Sequence, residues 1–572
     1  MFLRKARLAL LTAAILLITA CAPPADETTQ ESVQQSAVAM PDRYSAQVSE
    51  DILRAGGNAV DAAIAAGFSL AVTYPEAGNI GGGGFMLIHM DDEDAFLDYR
   101  ETAPLASHRD MYLDETGDVV KKSSLIGIRA AGVPGTVAGL WSAHQRFGSL
   151  PWRDLLVPAI ELAANGFLVT KSLANKQRRY SANYDGASNF EEYFGAMTAG
   201  TSFRQTELAE TLRRIAASGA EDFYAGKTAQ LTVAYMQRAG GLITAEDLAR
   251  YMAVWRKPIK ANWRDYEVLS APPPSSGGFA IVQLLRIKDY LDHHFQGVGH
   301  NSPQYIHLVA EIEKRVFADR AEYLGDPDYV DVPIAELLDQ DYIASRAAQI
   351  DPQSISTVNG VPPGLESHNT THFSIVDRWG NAVSNTYTIN DWFGNGMVVE
   401  GAGYLLNGEM DDFSVKPGVA NFYGVVGNTA NEIQPGKRML SSMSPTILLK
   451  DGNVALVAGT PGGSTIFTSV FQVIVNIFDF DMSPADAVAA TRFHHQLLPP
   501  DLVTYSPRVP MPPATISALG DRGYRVEPHF FSFGDLQVIL RDGDELKAAS
   551  DPRNRGESRI VTHGNLSQNN LD

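Results

Sequence analysis

The sequence predicts a mixed fold of helices and strands, helix-rich in its first part and strand-rich in its second. Three observations predict it. From Ser45 onward the apolar positions Ile52, Leu53, Val60, Ala63, Ile64 and Phe68 recur at helical spacing, and similar amphipathic segments fill residues 130–260. A loop rich in Pro, Gly, Ser and Asn, from Asp351 to Asn369, then interrupts the helical pattern. Beyond it, Thr371 to Val376 and Ala382 to Thr388 are strand-like runs joined by Asp377-Arg378-Trp379-Gly380-Asn381, a hairpin signal.

The 572 residues are 45% hydrophobic and 20% charged, ordinary usage for a globular chain with a large core. A formal charge of −20 and a pI near 5.1 repel a polyanion, which argues against a nucleic-acid partner. Residues 1–20 carry Arg4, Lys5 and Arg7 ahead of an apolar run from Leu8 to Ala20, the layout of an export signal. Cys21 is the only cysteine, so no intramolecular disulfide is possible. It follows Leu17-Ile18-Thr19-Ala20, which resembles the bacterial lipobox, where such a cysteine is lipidated and becomes the mature N-terminus. The resemblance implies an exported protein, lipid-anchored to a bacterial membrane on its periplasmic side; a plain cleaved signal is the alternative. Residues 21–40, rich in Ser, Gln, Thr, Glu and Pro, read as a disordered tether.

Along the rest of the chain, Gly56-Gly57-Asn58 breaks the first helical pattern into two helices. Gly81 to Gly84 leads into the strand-like Phe85 to Ile88, and Ala95 to Tyr99 follows an acidic turn. A phosphate loop would open a helix and carry Lys-Ser or Lys-Thr, so this glycine run reads as structural. Thr244 before Ala245-Glu246-Asp247 is a helix cap. Pro272 to Gly278 forms a rigid turn, with helices predicted over Phe279 to Tyr290 and Tyr305 to Tyr323. If Val376 faces Ala382 across the hairpin, Thr370 lies opposite Thr388 and Asn390 sits one strand step further. Three polar side chains then meet at one strand end, with no packing purpose. Val454 to Ala458 reads as a strand, and Gly462-Gly463-Ser464 opens a helix whose free N–H groups make a ready anion or oxyanion site. Ser483 caps a further helix.

The stretch from Thr370 to Gly394, TTHFSIVDRWGNAVSNTYTINDWFG, resembles the signature of the gamma-glutamyltranspeptidase family, in which the first threonine is the nucleophile. Companion blocks stand in the family's order: GGNAVDAA at 56–63, YPEAGNIGGGGFM at 74–86, DYRETAP at 98–104, PPPSSGG at 272–278, EYLGDPD at 322–328, NGEMDDF at 407–413, LSSMSPT at 440–446 and TPGGS at 460–464. The resemblance implies an α+β fold, the four-layer αββα sandwich of N-terminal nucleophile hydrolases. It also implies a large subunit, residues 41–369, and a small one, residues 370–572, made from one precursor cut between Asn369 and Thr370. The implied activity passes the gamma-glutamyl group of glutathione or a related donor through an ester on Thr370 to water, an amino acid or a dipeptide. No cofactor is implied. The adjacent pairs His293-His294 and His494-His495 point to different faces and lack a third ligand, so no metal is implied either.

A threonine hydroxyl is a poor nucleophile and needs a base within reach. Cleavage before Thr370 supplies one, because the new α-amine titrates near neutrality beside the hydroxyl. By resemblance, Arg100 with Ser441 and Ser442 takes the donor's α-carboxylate, and Asn390, Glu409 and Asp412 take its α-ammonium. Gly462 and Gly463 stabilise the oxyanion, Thr388 orients Thr370, and the loop from Phe413 to Arg438 is a lid with Tyr423 as its gate. The residues alone leave plainer readings open: Arg100 as a surface ion pair with Glu101, Asp411-Asp412 as a solvated turn, the lid as an ordinary loop. Glu409, Met439 and Thr465 depart from the commonest bacterial wording, which bears on acceptor preference. Two rivals remain at this stage, an amidase for glutaryl or beta-lactam side chains with the same nucleophile, and a non-catalytic solute-binding lipoprotein.

Overall fold

A computed structural model describes residues 34–184, 188–357, 370–416 and 429–564. Among them, two large sheets lie face to face with helices outside each. The first sheet has seven strands in the order Glu557–Thr562, Gln35–Met40, Thr370–Val376, Ala382–Thr388, Gly83–Met90, Glu93–Asp98 and Val254–Arg256. The second has six, in the order Glu545–Ser550, Gln537–Asp542, Asn453–Gly459, Thr446–Lys450, Tyr266–Ser270 and Ile259–Trp263.

Alternation along the strands builds the layers. Phe85 and Leu87 face the second sheet, where they pack with Ile447, Val457 and Ile539. Met86 and Ile88 face the helices Arg43–Arg54 and Ala59–Thr73 instead. On the far side, Leu448 and Leu456 pack against the helices Gly277–Tyr290, Pro303–Tyr323 and Thr465–Phe478. Three apolar interfaces separate four layers, as the αββα expectation requires. Central strands such as Gly83–Met90 and Thr370–Val376 are buried along their whole length because both faces are covered.

Local signals act where the sequence places them. Asn58 accepts from the Asp61 N–H in a capping box, Thr244 does the same with Asp247, and the Ser483 side chain accepts from the Asp486 N–H. Residues 35–40 correct the tether expectation. Gln35–Met40 is a strand paired on one side with Glu557–Thr562 and on the other with Thr370–Val376. Ala37, Val38, Ala39 and Met40 are fully buried, since this short apolar run fills a slot between two partners. Averaging over a polar segment conceals it. The strands Val254–Arg256 and Ile259–Trp263 likewise end a region read as helical scaffold. Ile259, Ala261 and Trp263 point inward while Lys260 and Asn262 point out. Each sheet therefore takes strands from before residue 351 and from after residue 369.

Candidate active site

Thr370 is the first residue of strand Thr370–Val376 and pairs with Thr388, the register expected from the turn. Thr388 also pairs with Gly83 on its other side, so its backbone is held between two strands. Its hydroxyl accepts the Asn390 N–H at 2.8 Å. Asn390 stands in the left-handed region at φ 70°. Its amide nitrogen donates to Gly408 O at 2.8 Å, while its oxygen is buried without a hydrogen-bond partner. The glycine run is structural, as expected: a Cβ on Gly82 would stand 2.0 Å from Thr388 O, and one on Gly81 2.0 Å from Leu405 O.

The bond from Asn390 to Gly408 joins the threonine end to a buried cluster of charge. Arg100 follows strand Glu93–Asp98 and is fully buried, which removes the surface-pair reading. Its guanidinium donates to Glu409 and to Asp412 and stands 3.5 Å from Glu101. Burial alone would push Arg100 down, but the charges of Glu409 and Asp412 outweigh that and hold it above its ordinary value. Burial raises the Glu409 and Asp412 carboxyls against the opposing pull of Arg100. Glu101 is pushed up to about 8 by burial, against the opposing pull of Arg100. Asp411 is no solvated turn residue: it is buried, takes the Ser124 hydroxyl, and is raised to about 7 by burial. Glu409 Oε2 is likewise buried and without a hydrogen-bond partner among the described residues.

Ser441 and Ser442 are buried at the far side of Arg100, which reaches Met439 O and Leu440 O at 3.4 Å each. The Ser441 N–H donates to Pro274 O at 2.8 Å. Gly462 and Gly463, at φ 141° and 56°, lie between strand Asn453–Gly459 and helix Thr465–Phe478. The Thr465 hydroxyl donates to Gly462 O at 2.7 Å, and a Cβ on Gly462 would meet that hydroxyl at 2.4 Å. His372, two residues after Thr370, packs onto Gly459, where a Cβ would stand 2.2 Å from its ring. That contact brings the glycine turn toward the threonine strand. The structure thus gathers Thr370, Thr388 and Asn390 at one strand end and Arg100, Glu409 and Asp412 in one cluster. Tyr423, Asn369 and Cys21 lie outside the described residues.

Two residues on which the site depends were missed in the sequence. Asn79 donates to Thr388 O at 2.9 Å and accepts the Gly82 N–H at 2.7 Å, locking the strand end that carries Thr388. Asn407 accepts the Glu409 N–H at 3.0 Å and donates to Gly81 O and Gly132 O at 2.8 Å, fixing the start of the acidic turn. Both stand inside the quoted blocks, and the only signal was an asparagine beside glycines, which reads equally well as a turn.

The sequence profile of the family described as Gamma-glutamyltranspeptidase matches residues 45–561. The glutathione hydrolase proenzyme of Pseudomonas aeruginosa is 58% identical over 529 residues, which cover 92% of this chain and 94% of that protein. A solved gamma-glutamyltranspeptidase from Pseudomonas nitroreducens is 55% identical, with a TM-score of 0.55 over 55% of this chain and 95% of that one. The cephalosporin acylase of Bacillus halodurans superposes with a TM-score of 0.81 at 27% identity, covering 92% of this chain and 96% of that one. With the profile spanning nearly all of the described fold, the chain belongs to the gamma-glutamyltranspeptidase family.

Proposed function

We infer that this chain is a gamma-glutamyl hydrolase and transferase made as a proenzyme, which cuts itself before Thr370 and then works through that residue. The observation that carries the reading is the join between two clusters: Thr370 opposite Thr388, and Asn390 bonded to Gly408 beside Glu409 and Arg100. Each turnover begins when the Thr370 hydroxyl attacks the gamma-carbonyl and gives its proton to its own α-amine. The amide C–N bond breaks, the leaving amine takes that proton, and the gamma-glutamyl ester remains on Thr370. Water or an acceptor amine then attacks the ester, and the threonine hydroxyl is restored.

Gly462 and Gly463 hold the tetrahedral oxyanion with backbone N–H groups. Thr388 orients the nucleophile. A donor head enters by exchange: its carboxylate replaces Glu409 and Asp412 on Arg100 and meets Ser441 and Ser442, and its ammonium takes the released acids and the Asn390 oxygen. The buried acceptors without partners, Asn390 Oδ1 and Glu409 Oε2, suit a cation with three protons to give. Likeness in fold to an acylase favours the glutaryl amidase as second reading. A glutaryl donor has no ammonium, and would leave those acids unpaired once Arg100 turned to its carboxylate. Cys21 carries lipid that anchors the enzyme to the membrane.

Three measurements test this. Purified mature protein should resolve into two chains on a denaturing gel, the smaller beginning at Thr370, and should release glutamate from glutathione; another N-terminus would remove Thr370 as nucleophile. Gly462→Ala should lower kcat about a hundredfold, because the side chain collides with Thr465 and tilts the oxyanion donors; an unchanged kcat would place the oxyanion elsewhere. Cys21→Ser should move the protein from membranes to the soluble fraction with its activity intact. Retention on membranes would rule out the lipid anchor.

A further inference from the structure

Arg320 lies near the end of helix Pro303–Tyr323 in the outer layer and is buried at 5% exposure. No motif role falls on it. Its Nε donates to the Ser276 hydroxyl at 2.9 Å. That hydroxyl donates in turn to Ser441 O at 3.0 Å and stands 3.4 Å from Ser442 Oγ, while the Ser276 N–H also donates to Ser441 O at 2.8 Å. Through one serine, a buried guanidinium therefore supports the strap that carries Ser441 and Ser442.

Charge gives the second argument. Arg100 faces Glu101, Glu409 and Asp412. Three carboxyls crowd one guanidinium, and any of them that ionises repels a further carboxylate brought by a donor. Arg320 acts on Asp412 from the helix side. Burial pushes it down to about 10, against the pull of Asp412, so it stays protonated at neutral pH. A second cation near Asp412 offsets acid charge that would otherwise oppose the donor's carboxylate.

We propose that Arg320 is a specificity-determining positioning residue for the donor's α-carboxylate, supporting the Ser441-Ser442 strap through Ser276 and cancelling the excess acid charge of the site. The proposal rests on the gamma-glutamyl reading. It goes beyond it by making carboxylate selection depend on a residue that touches no substrate.

The test compares gamma-glutamyl p-nitroanilide with 4-aminobutyryl p-nitroanilide, which differs only in lacking the α-carboxylate, on processed parent, Arg320→Met, Arg320→Lys and Ser276→Ala. The expected result for Arg320→Met is a KM for the gamma-glutamyl compound raised about tenfold or more, a kcat within a few fold, and kcat/KM for the 4-aminobutyryl compound unchanged or higher. Arg320→Lys keeps the charge and should hold the selectivity ratio near that of the parent. Ser276→Ala removes the support with little change in volume and should lower the ratio by a smaller factor. If Arg320→Met does not process, Ser276→Ala decides, because an unaltered ratio there overturns the proposal. Equal losses on both compounds would mean a purely structural arginine and overturn it too. A parent enzyme indifferent to the α-carboxylate would overturn the gamma-glutamyl reading and the proposal together, whereas a selective parent with equally selective variants overturns the proposal alone.

Discussion

Thr370→Ala is expected to stay a single chain and to lose turnover by roughly four to six orders of magnitude, as removal of a hydroxyl nucleophile does elsewhere. On the proposed reading the same oxygen serves two reactions. It would attack the carbonyl of Asn369 before cleavage and the donor after it, so removing the hydroxyl stops both. Structural damage is not a sufficient rival explanation. Thr370 starts its strand, its backbone pairing with Thr388 does not need the hydroxyl, and alanine fits the space left. Thr370→Ser keeps the oxygen and should still process and turn over, more slowly. A gel, N-terminal sequencing and glutathione assays on the three proteins decide it. Two chains from Thr370→Ala, with normal N-termini, would remove the residue from both roles.

Asp412→Asn is expected to move substrate choice toward glutaryl compounds by roughly one to two powers of ten, measured as the ratio of kcat/KM values. In the structure Asp412 is held by Arg100, with burial raising its carboxyl. On the proposed exchange the donor carboxylate takes Arg100 and Asp412 turns to the ammonium, a charge-assisted hydrogen bond worth about 1.5–3 kcal/mol. Asparagine cannot supply the charge. It also removes the unpaired anion that penalises a glutaryl donor, so the two changes push the ratio the same way. Glu409 remains to meet the ammonium, which is why the shift is bounded and activity on the gamma-glutamyl donor persists. An unchanged ratio would mean that Asp412 does not meet the ammonium, and the amidase reading would gain.

What was legible at the site follows from how far its cause extends along the chain. The pairing of Thr370 with Thr388 was readable because a short turn sets the hairpin register and every later pair follows from it. The caps at Asn58, Thr244 and Ser483 were readable because each is a contact between residues three apart. Arg100 was different. Its block marked it as functional by resemblance, but its own neighbours permitted a surface pair with Glu101. Only the fold shows it buried against Glu409 and Asp412, more than three hundred positions away.

The sequence by itself determined the hairpin that bears Thr370, the glycine turn before a helix and the family, because local turns, caps and ordered blocks need no knowledge of distant partners. Tertiary structure decided the rest. Gln35–Met40 became a central strand because two partners left a slot that its apolar residues fill, although its surroundings read as tether. Asn79 and Asn407 became positioning residues, and Arg320 came to lie behind Ser276, because backbone groups and charges buried by packing must find partners wherever the fold supplies them. Such partners are fixed by distance in space, and a linear pattern carries no measure of that distance.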